Sequence, residues 1–377
     1  MNQSVIGMNK TRDFFLMKKD SPLIMKEFGF YSMDRWAKEG HIDKQRLKDP
    51  QYLRDLFGFD APGEASLNSL GWCEAAFYPE FEVKVIEDRG KYELVQDHAG
   101  RYVLYFKGRR DGFMPEYVDH PVKDMDTWKA NCEWRMDPLA PGRENLLKND
   151  LSRAKKARDQ GMFITQRVIG GYMYLRSLMG PEKVLYMFYD DPDLVHACMR
   201  KWFELADYVT AYFQKDITIE QLFLAEDICY NHGLLISPDM MREFLFPYYK
   251  QLIENMKKRQ PDRSKHMFIQ IDTDGFAEPS IDIYKEIGMD IMSPFEVASG
   301  CDVLRTAEKY PDLRMTGGMD KQVLATTKEN IDKMVDRICP AMKKRGGYIP
   351  TCDHGVPEEV SFENYMHFRK RLLEYSV

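Results

Sequence analysis

Residues that could carry acid–base or metal chemistry recur where apolar runs of this sequence end. They are Glu226 and Asp227 after "QLFLA", Asp272 and Asp274 in "DTDG", Glu296 in "PFE", Asp320 in "GGMD" and His354 in "CDHG". One imidazole among several carboxylates can bind a divalent ion through nitrogen and oxygen, or move protons in acid–base catalysis. Each residue alone is commonly a helix N-cap or a turn residue, but their recurrence after successive apolar runs favours a site.

The two aspartates of "DTDG" have an informative spacing. Asp272 and Asp274 are two residues apart, so at the end of an extended strand both side chains would face the same side and could bridge a metal ion or a cationic group. Calcium-binding loops and plain turns carry the same motif. Here no glutamate follows at the distance that a calcium loop requires, which argues against calcium.

The stretch "YIPTCDHGVPEEVS" (348–361) sets a thiol, a carboxylate and an imidazole side by side at Cys352, Asp353 and His354. Aspartate and glycine favour turns and Pro357 stops a following element, so a surface turn is one interpretation. The floor of an active site is the other. The residues by themselves leave both open.

The elements that would position these residues alternate between short apolar runs and longer segments of helical period. Strands are predicted at 22–28, 162–168, 221–227, 266–272, 289–295, 312–318 and 346–352, with an eighth near "GWCEAAF". This α/β pattern predicts repeated β-α units and a parallel sheet. The strand spacing predicts a (β/α)8 TIM barrel, with a doubly wound sheet as the alternative. The strand ends of a barrel converge on one mouth, where the polar residues would meet.

A different pattern occupies residues from about 79 to 119. Apolar and polar residues alternate there around "DRG" and "HAG", which predicts an antiparallel β meander inserted into the barrel near its mouth, where it could act as a lid. The chain is otherwise predicted to be a single domain over 1–377. Because no glycine-rich GxGxxG or P-loop stretch follows a strand, nucleotide binding is not predicted.

Composition restricts the class of protein. The 377 residues are 44% hydrophobic and 30% charged with a net charge of −6, which indicates a globular protein without a nucleic-acid surface or a polybasic membrane anchor. No apolar run is long enough to span a membrane and no signal peptide is evident, so a cytoplasmic location is expected. Seven cysteines without a CxxC pair are expected to be free thiols.

Several long segments resemble the uroporphyrinogen decarboxylase superfamily, and more closely its corrinoid-linked methyltransferase branch. They are "PVKDMDTWK", "LRSLMGPEKVLYMFYDDPDLV", "EDICYNHGLLISPDMMREFLFPYYKQLI", "DTDG", "PFEVASGCDV", "GGMDKQVLA" and "CDHGVPEEVSFENY". The resemblance covers nearly the whole chain and is clearest over 160–377. It implies an enzyme built on a (β/α)8 barrel, and it suggests a homodimer, as in decarboxylase relatives.

The sequence departs from the decarboxylases at their substrate arginines. Those enzymes carry an N-terminal Arg-Gln-Ala-Gly-Arg-Tyr segment that pairs with the carboxylates of a tetrapyrrole, whereas the matching place here is "KEFGFYSMDRW". Their glycine-histidine-glycine survives only as Asp353-His354-Gly355. A substrate with many carboxylates needs such cations, because desolvating unpaired carboxylates is costly.

The methyltransferase branch implies a zinc site. Its His-x-Cys-Gly ligands match Asp272 and Asp274, its last cysteine matches His354, and Glu296 could be a fourth ligand or orient the others. Oxygen and nitrogen ligands in place of thiolates would leave more charge on zinc to polarise an ether or alcohol oxygen. The resemblance therefore implies transfer of a methyl group from a small methoxylated or methylated compound to a corrinoid protein. His354, Asp274 and Glu296 would be catalytic, and Cys352 and Asp353 would either shape the turn or support the ligands from behind.

Further residues near the predicted strand ends are candidates for binding the substrate. They are Glu226, Asp227, Tyr172, Tyr174, Phe30, Arg35 and Asp320, with Arg176 as a second possible partner for an anion. For the aromatic residues, core packing is an equally good interpretation. Two other functions stay open, which are a cofactor-free decarboxylase whose Asp and His residues manage protons, and a non-catalytic binding barrel.

Overall fold

The computed structural model describes residues 3–110 and 115–377 and shows an α/β fold. In chain order the strands are β1 (Glu64–Leu70), β2 (Lys84–Arg89), β3 (Tyr92–Gln96), β4 (Tyr102–Phe106), β5 (Glu116–Asp119), β6 (Phe163–Ile169), β7 (Gln221–Ala225), β8 (Cys229–Tyr230), β9 (Gly233–Leu234), β10 (Phe268–Asp272), β11 (Ile291–Ser293), β12 (Arg314–Thr316) and β13 (Tyr348–Ile349). Seven strands pair in parallel in the order β1-β6-β7-β10-β11-β12-β13. Parallel neighbours require crossovers, and helices supply them.

Helices connect the strands of the parallel sheet, and several of them begin at a residue whose side chain caps the first turn. They are α1 (Gln3–Phe15), α2 (Met33–Lys38), α3 (Pro50–Phe57), α4 (Met125–Asn131), α5 (Arg143–Asp159), α6 (Gly171–Met179), α7 (Lys183–Asp190), α8 (Pro192–Gln214), α9 (Pro238–Met240), α10 (Phe246–Arg259), α11 (Ile281–Lys285), α12 (Val303–Lys309), α13 (Lys328–Arg345) and α14 (Phe362–Leu373). Asp191 accepts from the Leu194 N–H to cap α8, and Thr327 caps α13 in the same way. Within the described ranges, no helix is long and apolar enough to cross a bilayer.

The predicted parallel sheet is confirmed, with six of the predicted strands overlapping β6, β7, β10, β11, β12 and β13. These apolar runs were recognisable because helices cover a parallel sheet, so that all residues of β7, for example, are buried. The strand expected near "GWCEAAF" lies just before it, as β1. It ends before Gly71, whose φ of 76° suits glycine and turns the chain. The arrangement is consistent with a TIM-barrel-like fold.

The strand predicted at 22–28 is wrong. Its backbone groups bond to scattered partners instead of a ladder: the Met25 carbonyl accepts from the Asp60 N–H, ahead of β1, at 2.8 Å. A few residues on, the Tyr31 N–H donates to the Val356 carbonyl beyond β13, also at 2.8 Å. In the described part of the chain, β1 and β13 are the two outer strands of the parallel sheet. The two hydrogen bonds place this N-terminal segment between them.

The predicted antiparallel meander is present as a separate four-stranded sheet in the order β2-β3-β4-β5. One of its two edge strands, β2, is exposed along its whole length. The sheet is joined to the loop after β1 by an ion pair between Arg101 and Glu74 at 2.9 Å. That loop follows the carboxyl end of β1, so the small sheet stands on the side of the molecule where the strand ends collect.

The opposite, amino-terminal end of the parallel sheet is covered by α1. The Phe15 ring stacks on Phe163 at a centroid distance of 4.4 Å and lies 4.7 Å from Phe268. Ile291 and Ile349 complete the same apolar cluster. These residues come from β6, β10, β11 and β13, so the sheet must curve strongly for one phenylalanine to share a cluster with all of them.

Replacing this phenylalanine should destabilise the protein. Phe15 is 2% exposed, whereas its neighbour Leu16 is 66% exposed. We expect Phe15→Ala to lower the free energy of unfolding by about 3 kcal/mol or more, because it leaves a cavity among the strand starts. Leu16→Ala is the matched control and should change it by less than about 0.5 kcal/mol. Urea unfolding of the two variants measures the difference, and equal midpoints would contradict this role of Phe15.

Candidate active site

Asp353 joins three loops at the carboxyl ends of the strands. Its buried carboxylate accepts from the Val297 N–H at 2.8 Å and from the Lys321 N–H at 3.1 Å. Its own N–H donates to the Met319 carbonyl at 2.9 Å. The loops after β11, β12 and β13 are therefore held in a fixed relation, and the next residue, His354, is placed against them.

The His354 imidazole lies between an aspartate and a tyrosine. Its Nε2 is 3.5 Å from Asp274 Oδ2, and its Nδ1 is 3.3 Å from the Tyr31 hydroxyl. The Phe28 ring packs beside it at a centroid distance of 5.0 Å. Hydrogen bonding to Asp274 raises the pKa of His354 against the opposing effect of burial. The imidazole is thus biased towards the protonated form, which can donate a proton to a substrate.

Glu296 belongs to an ion pair beside this imidazole. Its carboxylate is 3.1 Å from the Lys321 ammonium and accepts from the Gly275 N–H at 2.9 Å. The Ser299 hydroxyl also donates to it, at 3.1 Å. Burial opposes ionisation, but these partners outweigh it and lower the pKa of Glu296. Glu296 is therefore a permanent anion that neutralises the lysine, and it is poorly suited to exchange protons near neutral pH.

Asp272 has a different environment from Asp274. It ends β10 and accepts a hydrogen bond from the Ser293 hydroxyl on β11. Burial raises the pKa of Asp272 to about 7, although the bond from Ser293 lowers it. A carboxyl with this pKa is partly protonated in neutral solution, so Asp272 can act as an acid or as a base.

A metal site is not formed by these side chains. Across residues 3–110 and 115–377, no three His, Cys, Asp or Glu residues form a group that could hold a metal ion. Asp272 is engaged by Ser293 and Glu296 by Lys321, which leaves Asp274 and His354 as the close pair. A resident zinc ion usually takes at least three protein ligands, so the arrangement does not fit one. Zinc stays a prediction from the resemblance.

A second ion pair lies after β6 and β7. Arg176 on α6 pairs with Asp227, whose φ of 44° is unusual for a residue other than glycine. The buried Tyr172 is close to both, and burial raises its pKa to about 12. Burial raises the pKa of Asp227, and the negative charge of Asp274 raises it further. Of the predicted substrate contacts, Asp227 is therefore placed beside the central group, whereas the Tyr172 side chain is 0% exposed and offers no surface to a substrate.

The comparisons with known proteins fit this arrangement. Residues 115–375 match the family model described as "Uroporphyrinogen decarboxylase (URO-D)". The chain belongs to this family. It is 23% identical to the uroporphyrinogen decarboxylase of Hydrogenobaculum sp. over 52% of each chain, and 25% identical to that of Legionella pneumophila (strain Corby) over 48% of this chain and 49% of the relative. The match thus spans about half the length of these curated relatives.

A solved structure supports the fold over the full length. The methyltransferase from Methanosarcina mazei superposes with a TM-score of 0.57 at 12% sequence identity, covering 99% of both chains. At this level of identity the likeness concerns the fold alone. Members of the uroporphyrinogen decarboxylase family are enzymes, and the polar residues described above lie where a catalytic site of such a fold is expected.

The structure corrects the predicted roles of Glu226 and Tyr174. Both are 0% exposed. The Glu226 carboxylate accepts from the Tyr249 hydroxyl at 2.6 Å and from the Tyr172 N–H at 3.1 Å, at the start of α6. Burial raises its pKa to about 7. Tyr174 on α6 is also enclosed by the core. Neither side chain has surface for a substrate to contact, so both are structural.

Three other residues predicted to contact the substrate either bond to other groups or lie at the edge of the candidate site. Asp320 accepts from the Gln322 N–H at 2.8 Å, which is the ordinary turn role. Arg35 pairs with Glu39 at 3.0 Å and donates to the Glu358 carbonyl. Phe30 borders a cavity of about 400 Å³ that also reaches Tyr31. Phe30 adjoins Tyr31, whose hydroxyl lies 3.3 Å from His354 Nδ1.

Sequence reasoning missed Lys321 and Arg167. Lys321 contacts Glu296 and lies 3.9 Å from Asp353, but a lysine in "GGMDK" has no sequence signal that separates it from a surface lysine. Arg167 lies inside the parallel sheet on β6. A single arginine within the run "MFITQRV" was the available signal, because a charge inside a buried strand needs a reason.

The pKa of His354 should depend on Asp274. In the wild type we expect it above the ordinary value of 6.5, and in Asp274→Asn below it, because burial and Lys321 remain. The contribution of the His354–Asp274 pair to the stability of the folded protein should be complete below pH 6.5. It should be lost as the pH rises through the raised pKa of His354. An NMR titration of the histidine Cε1 proton, assigned by its absence in His354→Ala, measures both values.

Asp320→Asn is the control for this titration, since Asp320 caps a turn and does not contact His354. It should leave the titration unchanged. A wild-type value at or below 6.5, or an equal shift in both variants, would contradict the assigned pair.

Proposed function

We propose that this enzyme transfers a methyl group from the oxygen of a small methoxylated or methylated compound to the corrinoid of a separate protein. The observation that carries the proposal is the His354–Asp274 pair, with Nε2 3.5 Å from the carboxylate at the strand ends. A protonated imidazole there can donate to the leaving oxygen as the carbon–oxygen bond breaks and the electron pair stays on oxygen. The methyl carbon passes to the reduced corrinoid of the acceptor protein, which supplies the electron pair of the new bond to carbon, and Asp274 stabilises the imidazolium before the proton is transferred.

The charges around His354 select against a polycarboxylate substrate. Five carboxylates collect there, namely Asp227, Asp272, Asp274, Glu296 and Asp353, against the cations Arg167, Arg176 and Lys321. Arg176 and Lys321 are already paired. A tetrapyrrole with many carboxylates would be repelled and left without partners. A neutral compound or one with a single negative charge fits this balance.

A decarboxylase that acts on a small acid is the second candidate. The curated relatives are uroporphyrinogen decarboxylases, and Asp272, with its pKa of about 7, could protonate the carbanion left by carbon dioxide. Family membership favours this alternative. The two reactions differ in product, so assays for carbon dioxide and for the methylated corrinoid distinguish them.

Removing the imidazole should abolish the reaction. With a reduced corrinoid protein and a panel of methoxylated and methylated compounds, we expect His354→Ala to lower the rate of methyl transfer by about 100-fold or more, as for loss of a general acid. His266→Ala is the matched control. His266 forms the same kind of pair with Asp290, 2.9 Å apart, ahead of β10 at the opposite end of the sheet.

The control variant should retain full activity. Release of carbon dioxide from a carboxylic acid without any methylated corrinoid would replace the proposal with the decarboxylase. Equal activity of His354→Ala and the wild type would reject His354 as the acid in either reaction.

Metal content tests the zinc that the resemblance implies. Because the side chains present do not form a three-ligand group, the proposal assigns activation of the oxygen to a proton. We expect treatment with a chelator to leave methyl transfer unchanged. Elemental analysis showing one zinc per chain, lost together with activity in Asp274→Ala, would overturn the proton step and restore Asp272, Asp274, Glu296 and His354 as a ligand set.

The homodimer also stays a prediction, which light scattering can test.

A further inference from the structure

We infer that Trp72, Arg167 and Phe223 form a subsite for a planar aromatic group that carries one carboxylate. The inference deepens the proposed function, because it specifies the substrate class of the same site. It rests on an arrangement inside the sheet that neither the acid–base group nor the core packing explains.

The three side chains form a compact cluster. The rings of Trp72 and Phe223 stack with a centroid distance of 5.1 Å and an interplanar angle of 22°. The Arg167 guanidinium carbon lies 4.7 Å from the centre of the Trp72 ring and 5.3 Å from that of Phe223. Arg167 on β6 and Phe223 on β7 are register partners, and Trp72 lies in the loop after β1, two residues beyond its end. Two neighbouring strands therefore set the relative position of the arginine and the phenylalanine.

The guanidinium of Arg167 lacks an anionic partner. No hydrogen bond or ion pair of this side chain occurs among the described residues, and its Nε is buried without an acceptor. Two carboxylates are near enough to be influenced by its charge, Asp272 and Glu64. Glu64 is paired with Lys26 at 3.3 Å, and Asp272 is engaged by Ser293. A partly buried cation without a counter-ion is costly, so a substrate carboxylate would be stabilised there.

Trp72 supplies surface for a flat ring. It is 36% exposed, whereas Phe223 beneath it is 7% exposed. Aromatic rings stack on such surfaces with a gain beyond that of buried area. The Arg167 guanidinium lies beside the stacked rings, 4.7 Å and 5.3 Å from their centres, and its N–H groups are donors that match a carboxylate. A ring acid can thus contact the tryptophan and the arginine together.

The subsite borders the acid–base group. Cys73, the residue after Trp72, lies close enough to Asp227, Arg176 and Asp272 for their charges to affect its thiol. A substrate whose carboxylate is bound by Arg167 would therefore extend from the interior of the sheet towards the strand ends. Its distal oxygen substituent would then point to the side of the molecule where His354 lies.

Binding of simple probes tests the subsite without any turnover. Isothermal titration calorimetry would compare benzoate with benzyl alcohol, which lacks the charge, and with cyclohexanecarboxylate, which lacks the aromatic ring. We expect benzoate to bind about tenfold more tightly than either, as the loss of a charged hydrogen bond or of an aromatic contact predicts.

Variants separate the contribution of the Arg167 charge to binding from that of the Trp72 ring. Arg167→Gln should weaken benzoate about tenfold and leave benzyl alcohol unchanged, since it removes the charge-assisted bond. Trp72→Leu should weaken both aromatic probes and affect cyclohexanecarboxylate least. Trp134→Leu is the matched control and should change nothing, because Trp134 is also exposed and also stacked by an arginine, with Arg135 4.2 Å from its ring centre, in a helix that packs on α8.

The outcomes separate this inference from the proposed function. Saturable benzoate binding that depends on Arg167 and Trp72 supports the subsite even if no methyl transfer is found. Absence of saturable binding, or equal affinity in both variants and the wild type, overturns it even if methyl transfer is confirmed. If Arg167→Gln fails to fold, as judged by its thermal melt, Arg167→Lys keeps the charge without the planar stack and should show a smaller loss for benzoate.

Discussion

The buried carboxylate of Asp353 is the interaction on which the geometry of the site depends. Burial raises the pKa of Asp353, but the Lys321 charge and two backbone N–H donors keep the anion favourable enough to remain inside the protein. The donors belong to Val297 and Lys321, in the loops after β11 and β12. One side chain thereby fixes three loops, and the Lys321 ammonium is brought to Glu296. The orientation of His354 follows from this construction, since it is the next residue in the chain.

The sequence reveals the strand ends more easily than the contacts made there. Runs such as "QLFLA" are recognisable because helices cover the sheet, which makes every residue of β7 buried. The two-residue spacing of Asp272 and Asp274 predicted side chains facing the same way, but β10 ends at Asp272. Beyond the strand the alternation no longer applies, and Asp274 turns to His354 while Asp272 bonds to Ser293. Local periodicity predicts orientation only while the ladder continues.

Glu226 shows a second limit of reasoning from sequence. A glutamate at a strand end is equally compatible with catalysis and with holding the next helix, and the deciding contacts come from distant parts of the chain. Gly170 leaves room for its carboxylate, since a Cβ there would lie 2.2 Å from Glu226 Oε2. The Tyr249 hydroxyl reaches it from α10. Such a site cannot be recognised until the helices are packed, whereas the turn role of Asp320 follows from local chemistry.

The interior of the parallel sheet contains a series of polar side chains, which connects the strands to the carboxyl of Asp272. Hydrogen bonds run from Thr165 to Gln221 at 2.8 Å, from Gln221 to Gln270, and from Gln270 to Ser293 at 2.7 Å. Ser293 then donates to Asp272. Every donor in this series of hydrogen bonds points the same way, so the carboxyl at its end is oriented by polar side chains from β6, β7, β10 and β11. An apolar interior would pack as well, but it could not hold a partly protonated Asp272 in one orientation beside the unpaired charge of Arg167.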